Sequence, residues 1–315
     1  MRFDTLLGND RLKENLTQSL NKNHISHFYL ISGPRGSGKR TLARLLSAAI
    51  LCRNAGRPCG SCTHCRKVLS GSHPDVITVE DPEHKNVAVK LVRQIREDVY
   101  IRPNEADYKV YLFSQDLGVE GQNALLKILE EPPAYGVFLL LTENPEKILP
   151  TVRSRCTELK LQSLPEPVLT AALRQQFPQR SREDLAAAAA RSGGFLGQAL
   201  ELVESGGALP PQTGDFVRAL SEKDQLLLAQ TLGPMEKWKR DALSELLESW
   251  LELTEQALSC RAGARVTSAL ARNLGSSRSA QDLYAVTASL KKALNYTLSN
   301  VSPAAVCGWL LWQLK

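Results

Sequence analysis

Residues 33–41 read Gly-Pro-Arg-Gly-Ser-Gly-Lys-Arg-Thr, a glycine-rich loop of the kind that binds phosphate between a strand and a helix. Its backbone N–H groups can approach phosphate oxygens, and its lysine can reach the terminal phosphates. The Ser or Thr that ligates Mg²⁺ should follow the lysine directly, but Arg40 stands there, and a hydroxyl one residue later points about 100° around the helix. We expect weak or vestigial nucleotide contacts from Gly33, Gly36, Gly38, Lys39 and Thr41.

Apolar runs of strand length alternate with helical segments around this loop. The runs cover residues 27–32, 75–79, 109–113 and 137–141, and the helical segments cover residues 41–52, 87–100 and 121–131. Alternating strands and helices predict a parallel sheet with helices on both faces. The sequence therefore predicts an α/β domain over residues 1–163.

The second half of the chain reads as helical. Beyond residue 164 Ala, Leu, Glu and Arg dominate, Gly193-Gly194 interrupts the pattern, and residues 205–211 read as a linker. We therefore predict helical domains over residues 164–206 and 210–315. Within the last domain, apolar residues at helical spacing indicate either an internal core or an oligomer contact. These are Leu243, Leu247, Trp250, Leu251, Leu258, Leu290, Leu294 and Leu298.

Four of the seven cysteines lie close together. Cys52, Cys59, Cys62 and Cys65 form C-x6-C-x2-C-x2-C, with glycine and proline between them to allow tight turns. This spacing predicts a structural Zn²⁺ site in which four thiolates close the coordination shell and leave no catalytic position. His64 lies inside the cluster, and we expect it to be a solvated loop residue.

The amino-acid composition excludes fewer classes of function than these motifs do. The chain has 315 residues, 43% of them hydrophobic, and a formal net charge of +6. That charge fits an ordinary protein surface as well as a nucleic-acid footprint. The sequence contains no apolar stretch long enough for a membrane span and opens with no signal-peptide core, so we expect a cytoplasmic protein with no membrane partner.

Two further stretches point to a family. Residues 123–133 read Asn-Ala-Leu-Leu-Lys-Ile-Leu-Glu-Glu-Pro-Pro, and residues 154–156 read Ser-Arg-Cys. With the glycine loop and the cysteines, they resemble the AAA+ clamp-loader subunits of bacterial DNA polymerase III, in particular the delta-prime branch. The resemblance covers about residues 3–200. It implies an α/β AAA+ P-loop domain, a small helical lid domain and an all-helical C-terminal oligomerisation domain of the collar type.

Several positions depart from an active ATPase of this family. Such an enzyme has Asp-Glu after its third strand, to support Mg²⁺ and to orient the attacking water. This chain has Ser114 and Gln115, and Asp116 would reach the metal position only through a two-residue register shift. In the lid, Gly197 stands where the family places an arginine that reads the γ-phosphate. Together with Arg40, these changes predict a subunit that does not hydrolyse ATP.

The arginine that acts on a neighbouring subunit is retained. The resemblance assigns Arg155 as an arginine finger that stabilises charge on ATP bound by an adjacent ATPase subunit. It also implies assembly with gamma/tau-type ATPase subunits and a delta subunit in a hetero-pentamer, which acts on a sliding clamp and primed DNA. Two alternatives remain open: an ATP-hydrolysing gamma/tau-like subunit, and a free-standing DNA-binding protein. For Arg155 itself, an interdomain ion pair is the alternative.

Overall fold

The computed structural model describes residues 3–84, 86–204, 210–264, 266, 268–299 and 301–314. The chain divides into two compact units, Met1–Glu204 and Ser205–Lys315. Most of the predicted linker, residues 205–209, lies outside the described residues.

The first unit is built on a five-stranded sheet whose strands all run parallel. In chain order the strands are β1 (Phe28–Ser32), β2 (Val76–Val79), β3 (Lys109–Phe113), β4 (Gly136–Thr142) and β5 (Thr157–Lys160). Their order across the sheet is β2-β3-β4-β1-β5. The glycine loop follows β1, so it opens at the carboxyl edge of the sheet, where ligands of parallel α/β sheets bind. The α/β fold class is confirmed.

Helices cover both faces of this sheet. They are α1 (Asp10–Asn21), α2 (Lys39–Leu51), α3 (Thr63–Leu69), α4 (Val89–Asp98), α5 (Val119–Glu130) and α6 (Pro150–Arg153). Because successive strand residues point to opposite faces, Tyr29 and Ile31 join the core under α2, while Phe28 and Leu30 join the core under α5. Phe28 stacks on Phe138 with ring centroids 4.4 Å apart.

Three helices complete the first unit: α7 (Glu166–Gln176), α8 (Arg182–Arg191) and α9 (Leu196–Glu204). They share a small core of their own, which contains Leu169, Leu185 and Val203. The turn before α9 requires glycine, because Gly194 has φ +91° and a Cβ there would lie 2.5 Å from Ser163 Cβ. The domain boundary predicted at residue 163 stays a prediction.

The described part of the second unit is helical. Its helices are α10 (Pro211–Glu222), α11 (Gln225–Leu232), α12 (Arg240–Arg261), α13 (Ala269–Ser277), α14 (Ala280–Leu298) and α15 (Pro303–Gln313). Trp250 is fully buried, stacks on Phe216 at 3.9 Å and donates from its indole nitrogen to Thr213 Oγ1. Leu243, Leu247 and Leu290 share this core, whereas the side chain of Leu298 is outside the described residues. Among the described helices, none is long and apolar enough to span a membrane.

Candidate functional site

The lysine of the glycine loop is folded back onto its own loop. Lys39 is the first residue of α2, and its Nζ donates to Gly33 O at 2.6 Å and to Pro34 O at 2.9 Å. Glu143, directly after β4, lies 3.8 Å away. Burial lowers the pKa of Lys39, while the charges of Glu143 and Asp116 oppose this shift. A phosphate could therefore use Lys39 only after the ammonium leaves these carbonyl groups.

The position expected for Mg²⁺ is occupied by a different set of groups. The Arg40 guanidinium lies 3.9 Å from Glu80 Oε1, and the Ser114 hydroxyl donates to the same oxygen at 2.7 Å. Thr41 is exposed. Mg²⁺ requires oxygen ligands in an octahedral arrangement, and a guanidinium at the position of one ligand repels the ion. These residues do not fit a bound Mg²⁺.

Gln115 holds a loop in place. Its Oε1 accepts from the Asp81 N–H at 2.7 Å, and its Nε2 donates to the carbonyl oxygens of Asp81 at 3.0 Å and His84 at 3.3 Å. A glutamate here would lack both donated bonds and would bring a carboxylate against two carbonyl groups. The neighbouring Asp116 accepts from the Thr142 hydroxyl at 2.9 Å. Gln115 thus has a structural use that the catalytic glutamate could not fulfil.

The lid contacts the glycine loop directly at Gly197. Its N–H donates to Gly36 O at 2.9 Å, and a Cβ at this position would lie 2.6 Å from Gly36 Cα. The position of the γ-phosphate-reading arginine therefore accepts only glycine in this arrangement. A cavity of about 630 Å³ remains beside the loop, bordered by Leu6, Leu141 and the start of α9.

The four clustered cysteines converge as their spacing predicts. All four Sγ atoms lie within 4.8 Å of one another, and two of the separations, Cys59 to Cys65 and Cys52 to Cys62, are 3.9 Å. A tetrahedral ion with Zn–S bonds of about 2.3 Å requires S–S edges of about 3.8 Å. Cys52 ends α2, and Cys65 lies on α3. The residues therefore fit a structural Zn²⁺ that would join these two helices.

Backbone groups prepare the sulfurs to bind a cation. The Cys62 N–H donates to Cys59 Sγ at 3.3 Å, and the Cys65 N–H donates to Cys62 Sγ at 3.4 Å. The backbone hydrogen bonds from Cys62 and Ser61 lower the pKa of Cys59 to about 5. Burial raises the pKa of Cys52 and of Cys65. A bound ion would offset the penalty for burying these two thiolates.

His64 and His73 form a hydrogen-bonded pair next to this cluster. His64 is half-buried on α3 rather than a solvated loop residue, and its Nδ1 lies 2.9 Å from His73 Nε2. His73 Nδ1 accepts from the Asp75 N–H at 3.0 Å, so the proton of neutral His73 lies on Nε2 and points at His64. Glu105 is 3.5 Å from the same nitrogen. Metal binding through Nε2 would force a proton onto Nδ1 against the Asp75 N–H, so this second group does not fit a metal.

Arg155 lies on the surface after α6. Its Nη1 donates to Thr151 O at 2.9 Å, and its Nη2 lies 3.5 Å from Glu130 Oε1 at the end of α5. Next to it, burial raises the pKa of the Cys156 thiol to about 11, and Cys156 Sγ donates to Val152 O. A thiol with a raised pKa is a poor nucleophile. Arg155 is the exposed, charged residue of this triplet.

One family matches the part of the chain that carries most of these residues, but not Gly197. The family described as "DNA polymerase III, delta subunit" matches residues 8–165, half of the chain. That span includes the glycine loop, the four cysteines and Arg155. The chain belongs to this clamp-loader family.

Similarity to individual proteins reaches further along the chain. The chain is 31% identical over 272 residues to DNA polymerase III subunit tau of Bacillus subtilis, covering 81% of this chain and 46% of that protein. It is 36% identical over 166 residues to subunit tau of Escherichia coli K12, covering 51% of this chain and 26% of that protein. The chain spans less than half the length of these relatives. A gamma subunit-related protein of Thermotoga maritima aligns over 95% of this chain and 97% of its own, with 19% identity and a TM-score of 0.47.

Some residues of the site gave no signal in the sequence. Glu80 and Asp81 follow β2 and form hydrogen bonds with Ser114 and Gln115, which follow β3. The buried His73 forms hydrogen bonds with His64 on α3 and with the Asp75 N–H, just before β2. Gln122 is also buried, and its amide holds the chain that leads into α6. The one available signal for Glu80 was its position directly after a predicted strand, because the carboxyl ends of parallel strands meet at the same edge of the sheet.

Proposed function

We propose that the chain is a non-hydrolysing clamp-loader subunit of a bacterial replicative DNA polymerase, of the delta-prime type. In this role it assembles with gamma/tau-type ATPase subunits and a delta subunit in a hetero-pentamer. The complex then loads a sliding clamp on primed DNA. The observation that carries the proposal is that the positions expected to hold Mg²⁺ and to orient water are engaged in other contacts.

Those contacts argue against a simple repair of the active site. Arg40 and Ser114 both contact Glu80, and Gln115 uses both ends of its amide to hold residues 81–84. In-line attack on the γ-phosphate needs a metal ion and an oriented water. Restoring Glu at position 115 alone would remove a structural clamp without rebuilding a metal site.

Within the complex, Arg155 acts in trans. Its pair with Glu130 is exposed and long, and such surface pairs contribute only about 0–1 kcal/mol. A neighbouring subunit's triphosphate can therefore replace Glu130 as the partner of the guanidinium. A planar guanidinium can contact two phosphate oxygens at once, as charge develops during transfer.

The alternative is an ATP-hydrolysing subunit of the gamma/tau type. It is favoured by the names of the relatives, which are tau and gamma subunits that are 31–36% identical to this chain. In that case Asp116 or Thr41 would have to supply the missing metal ligands. The hydrogen bond from Thr142 to Asp116 and the exposed position of Thr41 speak against it.

ATP turnover separates the two proposals. The purified chain should hydrolyse no ATP in the presence of Mg²⁺, and mixing it with a gamma/tau-type ATPase and a delta subunit should yield a complex with clamp- and DNA-stimulated turnover. Gln115→Glu should not create activity in the isolated chain. Turnover near 1 s⁻¹, a low but typical enzyme rate, that disappears in Lys39→Ala would favour the ATPase instead.

A further inference from the structure

The lid helix α9 begins directly on the glycine loop. N–H groups in the first turn of a helix have no partner inside the helix, and that of Gly197 donates to Gly36 O at 2.9 Å. The Gln198 side chain donates from Nε2 to Arg35 O at 3.0 Å. Two consecutive carbonyl groups of the loop therefore accept hydrogen bonds from the lid.

The close approach depends on two glycines that face each other. A Cβ on Gly197 would lie 2.6 Å from Gly36 Cα and 2.8 Å from Gly36 O. A Cβ on Gly36, where φ is +73°, would lie 2.5 Å from the backbone nitrogen of Gln198. These neighbours are backbone atoms, which cannot move aside as the end of a flexible side chain can.

The same contact holds a peptide unit that phosphate would need. The peptide group between Gly36 and Ser37 is engaged at both ends, because its carbonyl accepts from Gly197 and its N–H donates to Pro34 O at 3.2 Å. Lys39 Nζ also donates to Pro34 O. A phosphate-binding loop needs these N–H groups and this ammonium to turn toward the anion. Here the Ser37 N–H and the Lys39 ammonium turn into the loop.

We propose that Gly36, Gly197 and Gln198 form a latch that holds α9 on the loop and weakens the binding of nucleoside di- and triphosphates. The latch rests on the proposed non-hydrolysing function. It explains how a loop that retains its glycines and its lysine would nevertheless bind nucleotide weakly. When only an open fraction of molecules can bind, the apparent dissociation constant is the intrinsic constant divided by that fraction. Closing the latch therefore weakens binding although the loop keeps every residue type that contacts phosphate.

The experiment compares ADP binding to the full-length wild type and to Gly197→Ala by isothermal titration calorimetry. The added methyl group forces α9 away from Gly36, and ADP should bind at least about tenfold more tightly than to the wild type. Amide hydrogen exchange of residues 36–39 should also become faster. Gly214→Ala on α10, where a Cβ meets no atom within 4 Å, is the matched control and should bind ADP as the wild type does.

A second variant tests the latch even if Gly197→Ala does not fold. Gln198→Leu removes the hydrogen bond to Arg35 O without a clash and should also tighten ADP binding. If the folded variants bind ADP no more tightly than the wild type, the latch is wrong. That outcome leaves the proposed function intact, because the function is tested separately by ATP turnover. Turnover by the isolated wild type would contradict the proposed function, whereas the ADP measurements would still test the latch.

Discussion

At the scale of single residues, a buried carboxylate organises the loop after β2. Asp81 accepts from the N–H groups of Glu83 and Ala88, and its oxygens lie 3.0 Å from His84 Nδ1. The hydrogen bond with Asp81 raises the pKa of His84, and the bond with His84 lowers the pKa of Asp81. This loop carries the carbonyl groups that Gln115 holds.

The pair gives the loop a defined pH dependence. A histidine with a raised pKa stabilises fully below its unfolded value of about 6.5 and loses that contribution as pH rises through the folded pKa. Asp81 contributes above its unfolded value of about 3.9, and its contribution is lost as pH falls through the lowered pKa. An NMR titration of the His84 ring should therefore have its midpoint above about 6.5, and Asp81→Asn should lower it. Glu83→Gln, which removes a nearby charge, should lower it less, and a midpoint unchanged by Asp81→Asn would contradict the pairing.

Gln122 is a second residue whose role depends on its buried contacts. Its Nε2 donates to Leu117 O and Lys147 O, and its Oε1 accepts from the Leu149 N–H at 2.7 Å. Gln122→Leu would leave these backbone groups without partners, and each buried unpaired group costs about 1–3 kcal/mol. Urea denaturation should show a loss of at least about 3 kcal/mol, the lower bound for three such groups. Asn123→Leu, on the exposed side of α5, is the control and should stay within about 0.5 kcal/mol of the wild type.

These residues also mark where sequence reasoning stops. The sequence alone places Ser114 and Gln115 where the resemblance predicts a catalytic Asp-Glu pair, because a motif defines which residue types hydrolysis requires. What Gln115 does instead was not evident, since its partners at Asp81 and His84 lie more than 30 residues away along the chain. A hydrogen bond between distant segments has no signature in either segment alone.

At the scale of elements, the predicted strands at 27–32, 75–79, 109–113 and 137–141 are confirmed, because each coincides with an apolar run of strand length. The runs of β1, β3 and β4 are almost wholly buried, whereas β2 lies at an edge of the sheet and exposes Thr78. Strand β5 was not predicted; it reads Thr-Glu-Leu-Lys and buries only Leu159, as expected for a strand at the edge of a sheet. Helix α3, whose seven residues lie among the cysteines, was not predicted either. Both elements lack the periodic apolar pattern from which strands and helices are predicted.

The short helix α3 should depend on metal. Seven residues are too few for a stable isolated helix, and an ion bound by Cys62 and Cys65 together with Cys52 would hold it to the end of α2. Protein purified without chelator should contain about one zinc per chain, since one closed tetrahedral site binds one ion. Chelation or Cys62→Ser should speed amide exchange over residues 52–70.

Cys260→Ser provides the control for that experiment, because Cys260 lies on α12, outside the cluster. It should keep its zinc and its exchange pattern. Zinc content well below one ion per chain in the wild type would count against the site.

At the scale of the whole molecule, the proposed function makes Arg155 the one group of this chain that takes part in ATP hydrolysis, on a neighbouring subunit. We expect Arg155→Ala and Arg155→Lys to keep folding, zinc content and assembly, since the guanidinium is exposed and weakly paired. Clamp- and DNA-stimulated turnover of the complex should fall by the share of one active site among several, because a trans arginine contributes about 10³- to 10⁵-fold at its own site.

Arg153 offers a matched control on the same segment. Its guanidinium pairs with Glu158 and Glu146 of its own chain, so Arg153→Ala removes surface ion pairs but no group that reaches a neighbour. Turnover of a complex with this variant should equal that of the wild type. If Arg155→Ala assembles and the complex turns over ATP and loads clamps at the wild-type rate, Arg155 is only an interface residue. An equal loss of turnover with both variants would instead indicate that the segment after α6 is distorted. The proposed role requires that Arg155→Ala alone lowers turnover while assembly is unchanged.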